Sequence, residues 1–231
     1  MQKNGVIFDL DGTLVHSSPD IAHHLNTALQ RLRPGVNALS VENVELLIGG
    51  GIKELVIRGM QAIDVNPDPE LVTETVSHFR DVYEDEPVIH TALYDGVADL
   101  LTALGDAGYA VGICTNKREK TARLVLDHFG LDGFFGAIIG GDTTPRRKPE
   151  PDPLLEAARQ LDLTPQAAVM VGDSAADFGA ARAASTGIIM VDWGYSGQDA
   201  RSFGADAVIS SYAEFLPHLS SILDPSSRSG V

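Results

Sequence analysis

The chain has 231 residues, of which 44% are apolar and 21% charged, enough for one large domain or two modest ones with a sizeable core. Its formal net charge of −15 argues against a nucleic acid or an anionic membrane surface as partner, because such binding draws on Lys and Arg to neutralise phosphates. The single cysteine, Cys114, excludes an internal disulfide and a cysteine-cluster metal site, and the apolar run before Asp9 is too short for a signal-peptide core, so a cytoplasmic protein is expected.

Short apolar runs rich in β-branched residues recur along the chain: Val6 to Phe8, Tyr109 to Cys114, Ala137 to Ile139, Ala167 to Val171, Ile188 to Val191 and Ala207 to Ile209. They are continuous rather than alternating, as strands buried on both faces of a parallel sheet are. From residue 96 onward, helical patterns lie between them: Val97, Leu100, Leu101 and Leu104, then Leu124, Val125 and His128, then Leu154, Leu155, Ala158 and Leu161. This is the rhythm of an α/β fold with a doubly wound parallel sheet.

The first strand and the second are separated by about a hundred residues, far more than one crossover helix needs. Between Ser17 and Val88 the periodicity is helical only, carried by Ile21, Leu25, Ala28, Leu29 and Leu32 and by Leu71, Thr75, Phe79 and Val82. Pro34-Gly35, Gly49-Gly50-Gly51 and Pro67 to Pro69 divide it into about four helices. The expected organisation is a Rossmann-like core of residues 1–16 and 89–231 with a small all-helical domain, 17–88, inserted through connections at Val15 to Pro19 and Asp85 to His90. The final DPSSRSGV reads as frayed.

Chemistry gathers where strands end. VIFDLDGT places Asp9 and Asp11 after the first strand, and AAVMVGDSAAD places Asp173 after another, with Asp177 in the first turn of the helix that Ser174 opens. These acids fall on the C-terminal edge of one sheet, where open α/β folds bind ligands, and clustered carboxylates need a hard cation. The other strand ends supply Thr115, Asn116 and Lys117, and Lys148 just before a helix expected to start at proline. A hydroxyl, an amide and an ammonium beside a metal site suit a phosphoryl group.

DLDGT at 9 to 13, Thr115-Asn116, Lys148 and GDSAAD at 172 to 177, in this order, resemble the four motifs of the haloacid dehalogenase superfamily, and the helical insertion resembles a type C1 cap. IIGGDTTPRRKPEPDPLL, GDSAADFGAARAA and WGYSG resemble the phosphoglycolate phosphatase branch. The resemblance implies Asp9 as nucleophile, Asp11 as general acid and base, Mg²⁺ held by Asp9, the Asp11 carbonyl and Asp173, and Lys148 with Thr115 and Asn116 on the transferring oxygens. Gly12 is expected to turn the chain and aim its N–H at the phosphate, Thr13 to brace that loop, and Asp177 to orient Lys148 or a metal-bound water. An acid at Asp11 favours an alkoxide leaving group over a halide.

In the insertion, LIGGGIKELVIRGM offers Lys53 and Arg58 as partners for a substrate carboxylate, Arg58 preferred for its bidentate geometry. The expected activity is Mg²⁺-dependent hydrolysis of a small phosphate monoester through an aspartyl-phosphate, with 2-phosphoglycolate first. The alternatives are a phosphatase for a sugar phosphate or nucleoside monophosphate, a phosphomutase similar to β-phosphoglucomutase, and a noncatalytic phosphometabolite-binding protein. A small phosphorylated metabolite is the expected partner, with the chain a monomer or homodimer. His23 and His24 read as surface or partly buried side chains, Cys114 as core, and Trp193 and Tyr195 as lying outside the site rim. Three residues depart from the family pattern: His16, Asp95, and Ser185, which stands where a glycine ends a helix.

Overall fold

The computed structural model describes residues 4–195 and 197–224, so all of the C-terminal segment read as frayed except Asp224 lies outside the described residues. Its strands are β1 (Gly5–Phe8), β2 (Val15–His16), β3 (Ala92–Leu93), β4 (Ala110–Cys114), β5 (Ala137–Ile139), β6 (Ala168–Gly172), β7 (Gly187–Val191) and β8 (Ala207–Ile209). Six of them form one parallel sheet in the order β5-β4-β1-β6-β7-β8. Its central strand β1 pairs Val6 with Val111 on one side and with Val169 on the other.

Both faces of the sheet are covered, which is why the strands read as unbroken apolar runs. Val6, Phe8, Val111, Ile113, Val169, Val171, Ile189 and Val191 point into one core, with α5 (Val97–Asp106), α6 (Glu119–His128) and α9 (Phe215–Leu223). The alternate residues Ile7, Cys114, Met170, Ile188 and Met190 point into the other, against α7 (Asp152–Gln160) and α8 (Ala175–Ala184). The helix after Lys148 opens at prolines as expected, with Pro151 as its N-cap and Pro153 in its first turn, and Lys148 sits in the preceding turn.

The insertion carries α1 (Ser18–Leu32), α2 (Val41–Glu45), α3 (Ile52–Ala62) and α4 (Pro69–Asp85), packed around a third core that includes Leu25, Leu29, Val56, Met60 and Phe79. Asp68 caps α4 by accepting from the Glu70 and Leu71 amides at 2.9 and 3.1 Å. Sequence periodicity misses β2 and β3, which are too short to show one; they pair antiparallel, Val15 with Leu93 and His16 with Ala92, joining the way into the insertion to the way out. The buried carboxylate of Asp20 reinforces this crossing by accepting from the amides of Ile89, His90 and Thr91 and from the Thr91 hydroxyl. Burial opposes its ionisation, but the Thr91 hydroxyl and the three amides outweigh that and hold Asp20 below the ordinary carboxylate range. No helix among the described residues is long and apolar enough to cross a membrane.

Candidate active site

Three adjacent strands of the sheet deliver the site. Asp9 follows β1, Thr115 follows β4 and Asp173 follows β6, all at the C-terminal edge, while Lys148 reaches in from the turn before α7. They line one cleft whose opposite wall is formed by Ile21, Ile48, Ile52, Leu55, Phe79 and Tyr83 of the helical insertion.

Lys148 is buried, and its Nζ donates to Asp177 Oδ1 at 2.6 Å and to the Cys114 carbonyl at 2.5 Å, and lies 3.0 Å from Asp9 Oδ1. Burial works to neutralise this lysine, but Asp177 and Asp9 outweigh it and keep its ammonium above the ordinary lysine range. The other oxygen of Asp177 accepts from the Ser174 amide and hydroxyl at 3.0 and 2.6 Å, so one carboxylate both caps α8 and orients Lys148. Burial pushes the Asp9 carboxyl up to about 6 against the pull of Lys148, with Asp177 and Asp11 adding to the rise. Asp173 is raised well above its usual value by burial and then by Asp177 and Asp9.

Asp9, Asp173 and Asp177 each place a carboxylate oxygen within 4.8 Å of the others. A buried set of oxygen donors, two of them held back from ionisation by burial and mutual repulsion, fits a hard divalent cation. The surrounding loops leave these acids little freedom. Asp173 Oδ2 accepts from the Tyr195 amide at 2.8 Å, and Oδ1 from the Thr13 hydroxyl at 3.3 Å. Gly12, at φ +80°, packs so closely that a Cβ there would lie 2.7 Å from Asp173 Oδ2.

Four expectations need correction. The Gly12 amide does not face an open phosphate position; it closes its own turn by donating to the Val15 carbonyl at 2.9 Å. Asn116 lines the cleft, yet its Nδ2 is engaged by the Gly49 carbonyl at 3.2 Å and the Lys148 carbonyl at 3.0 Å, making it a bracket between insertion and core. Lys53 and Arg58 are both exposed and line no part of the cleft. Helical periodicity is the reason: α3 turns Leu55, Val56, Gly59 and Met60 inward, which rotates positions 53 and 58 toward solvent, where Arg58 bonds the Leu47 carbonyl at 3.3 Å.

Asp11 adds no carboxylate oxygen to the three-acid cluster. Its Oδ1 accepts from the Ser17 hydroxyl at 2.6 Å, and Lys117 Nζ lies 3.0 and 3.1 Å from its two oxygens. The same Nζ donates to the Tyr83 hydroxyl at 2.6 Å. Burial disfavours the Lys117 ammonium, but Asp11 and Tyr83 more than compensate and raise it. Burial likewise pushes the Tyr83 phenol up to about 12.

The sequence places Lys117 at a strand end without giving it a role of its own and gives no sign of Tyr83, while Tyr195, expected outside the rim, lines the cleft. Phe79 and Tyr83 fall one turn apart on the buried face of α4, and a tyrosine there must find a partner for its hydroxyl. Tyr195 accepts from the Ser17 and Ser18 amides at 2.7 and 3.2 Å and lies 3.3 Å from His16 Nδ1. Cys114 is buried core, its thiol pushed up to about 12 by burial.

A doubly wound sheet with an acidic, lysine-bearing cleft at its C-terminal edge marks the catalytic core of an α/β enzyme. The family model for haloacid dehalogenase-like hydrolases matches residues 6–191, and the chain belongs to that family. It is 36% identical over 211 residues to a phosphoglycolate phosphatase of Thiobacillus denitrificans, covering 90% of this chain and 92% of the relative. It is 39% identical over 191 residues to the phosphoglycolate phosphatase of Cereibacter sphaeroides, covering 83% and 86%. The fold superposes with a TM-score of 0.85 on the crystal structure of a predicted phosphoglycolate phosphatase from Haemophilus somnus, 28% identical, covering 94% of this chain and 98% of that one.

Proposed function

We propose that the protein is a Mg²⁺-dependent phosphatase that hydrolyses a small phosphate monoester, 2-phosphoglycolate first, through a phosphorylated Asp9. The observation that carries the reading is the placement of Asp9 at the end of β1, 3.0 Å from the Lys148 ammonium and inside a cleft shared with Asp173 and Thr115. The names of the relatives support the choice of substrate. Residues 17–88 serve as the cap over this cleft, and residues 1–16 and 89–231 as the catalytic core.

An Asp9 oxygen forms a bond to phosphorus as the ester oxygen departs, and Asp11, in its protonated form, gives its proton to that oxygen. A water oxygen then bonds to phosphorus, the bond to Asp9 breaks, and the proton of the water returns to Asp11. Lys148 and Thr115 hold the phosphoryl oxygens through both displacements, and Asp177 keeps Lys148 aimed at Asp9. Mg²⁺ would be held by Asp9, the Asp11 carbonyl and Asp173; when bound it supplies positive charge that offsets repulsion between Asp9 and the phosphate. The apolar wall from the insertion excludes bulk water.

A phosphate-release screen with Mg²⁺ over a panel of small phosphate esters tests this. The expected result is 2-phosphoglycolate at the top and no turnover by Asp9→Asn. Sugar phosphates ranking far above it would overturn the substrate, and an active Asp9→Asn variant would overturn the mechanism.

A further inference from the structure

Among the described residues that line the cleft, the cationic side chains are Lys148 and Lys117. Lys148 belongs to the reacting centre: Asp9, Asp177 and the Cys114 carbonyl surround its ammonium, beside the place of the phosphoryl group. Lys53 and Arg58 lie outside the cleft. Lys117 is different. An ammonium has three N–H groups, and this one donates to the Tyr83 hydroxyl and lies 3.0 and 3.1 Å from the two oxygens of a single carboxylate, Asp11; one N–H shared between those two close oxygens leaves a donor for a further partner.

Tyr83 is in a matching position. Its oxygen accepts from Lys117 at 2.6 Å, and an ammonium cannot accept in return, so the phenolic proton has no acceptor among the described residues. Tyr83 is only 4% exposed and the Lys117 side chain 6%, yet both line the cleft. The rest of the insertion's wall, Ile48, Ile52, Leu55 and Phe79, is apolar and offers an anion nothing. A carboxylate entering this apolar space must be paired, and a charge-assisted donor beside a neutral one suits its two oxygens.

We infer that Lys117 and Tyr83 form the subsite that takes the carboxylate of the substrate, and so select phosphate esters that carry one. The assignment rests on the phosphatase reading above and names the residues that give it its substrate preference. Lys117 comes from the loop after β4 and Tyr83 from α4, so the subsite is complete only when the helical insertion lies against the sheet edge.

The test compares 2-phosphoglycolate with 2-hydroxyethyl phosphate, which replaces the carboxylate by a neutral alcohol, in the full-length protein with Mg²⁺. The readout is the ratio of kcat/KM for the two esters. Lys117→Met disturbs Asp11 and lowers both values, and the ratio removes that shared loss. Tyr83→Phe deletes one hydroxyl, keeps the ring packing and leaves the Asp11 contact with Lys117 in place. The preference for the carboxylate ester is expected to fall about 10-fold in Tyr83→Phe and about 100-fold in Lys117→Met, with the Phe loss expressed mainly in KM. If the wild type prefers 2-phosphoglycolate and both variants keep that preference, the subsite is wrong and the phosphatase reading stands. If the wild type shows no preference between the esters, or hydrolyses neither, the substrate reading fails and the subsite with it.

Discussion

The Thr91 hydroxyl donates to Asp20 Oδ2 at 2.6 Å across 71 positions of sequence, and the amides of Ile89, His90 and Thr91 converge on the same carboxylate. One acid at the start of α1 thereby fixes the segment that follows α4. Asp20→Ala leaves three amides and a hydroxyl without their shared acceptor, and a loss of about 3 kcal/mol in unfolding free energy is expected. The folded-state pKa of Asp20 is lowered, so its stabilisation is present above the unfolded value of about 4 and is lost as pH falls through the folded one. Urea melts should therefore show a large gap between wild type and Asp20→Ala at pH 7 that closes in acid.

Lys148 compensates buried acids on two sides. Lys148→Met should abolish phosphate release and cost about 3 to 5 kcal/mol of stability near pH 8, because Asp9 and Asp177 then remain as buried charges without a counter-ion. The stability cost should shrink toward pH 5, where Asp9, whose carboxyl burial lifts to about 6, takes up a proton. Denaturant melts at the two pH values check this, and a pH-independent cost would show that the loss is one of packing.

Divalent metal should stabilise the fold, and more so as pH rises. Burial lifts Asp9 to about 6 and also raises Asp173, so ionising them in the metal-free protein costs stability as pH climbs through those values. A cation removes that cost and displaces the protons. At a hundred times its dissociation constant Mg²⁺ should add about 2.7 kcal/mol, visible as a Tm increase of about 5 to 10 °C that EDTA reverses. A larger increase at pH 8 than at pH 6 is the expected pattern.

Ser185 ends α8 at φ +57°, in the left-handed region where a side chain is strained. Ser185→Gly should raise stability by about 0.5 to 1 kcal/mol, the relief of strain exceeding the added freedom of the unfolded chain. The residue is exposed and distant from the cleft, so catalytic constants should not move.

The sheet and the acids at its edge are legible because each has a local signature: an apolar run that stops at a glycine or an acid. Asp9 and Asp173 need only to be placed at strand ends and Lys148 just before a helix, and topology does the rest. Lys53 and Arg58 show where this stops. A glycine-rich turn followed by cations suggests a ligand, but which way a helix is rotated depends on the core it packs against, which no local pattern states. Lys117 shows the complementary gap. Its position after β4 is visible, but its role depends on Tyr83, 34 positions away on a different element. The strands β2 and β3, two residues each, exist only through their pairing.

That pairing has a consequence for how such a chain can diversify. Because Val15 and His16 run beside Leu93 and Ala92, the helical segment leaves and rejoins the core through a single doorway. Its length, helix count and lining can be exchanged without altering the register of any strand in the main sheet. The ribbon acts as a standard socket: the Lys117 half of the proposed subsite stays with the six-stranded frame, and the Tyr83 half travels with whatever is plugged in.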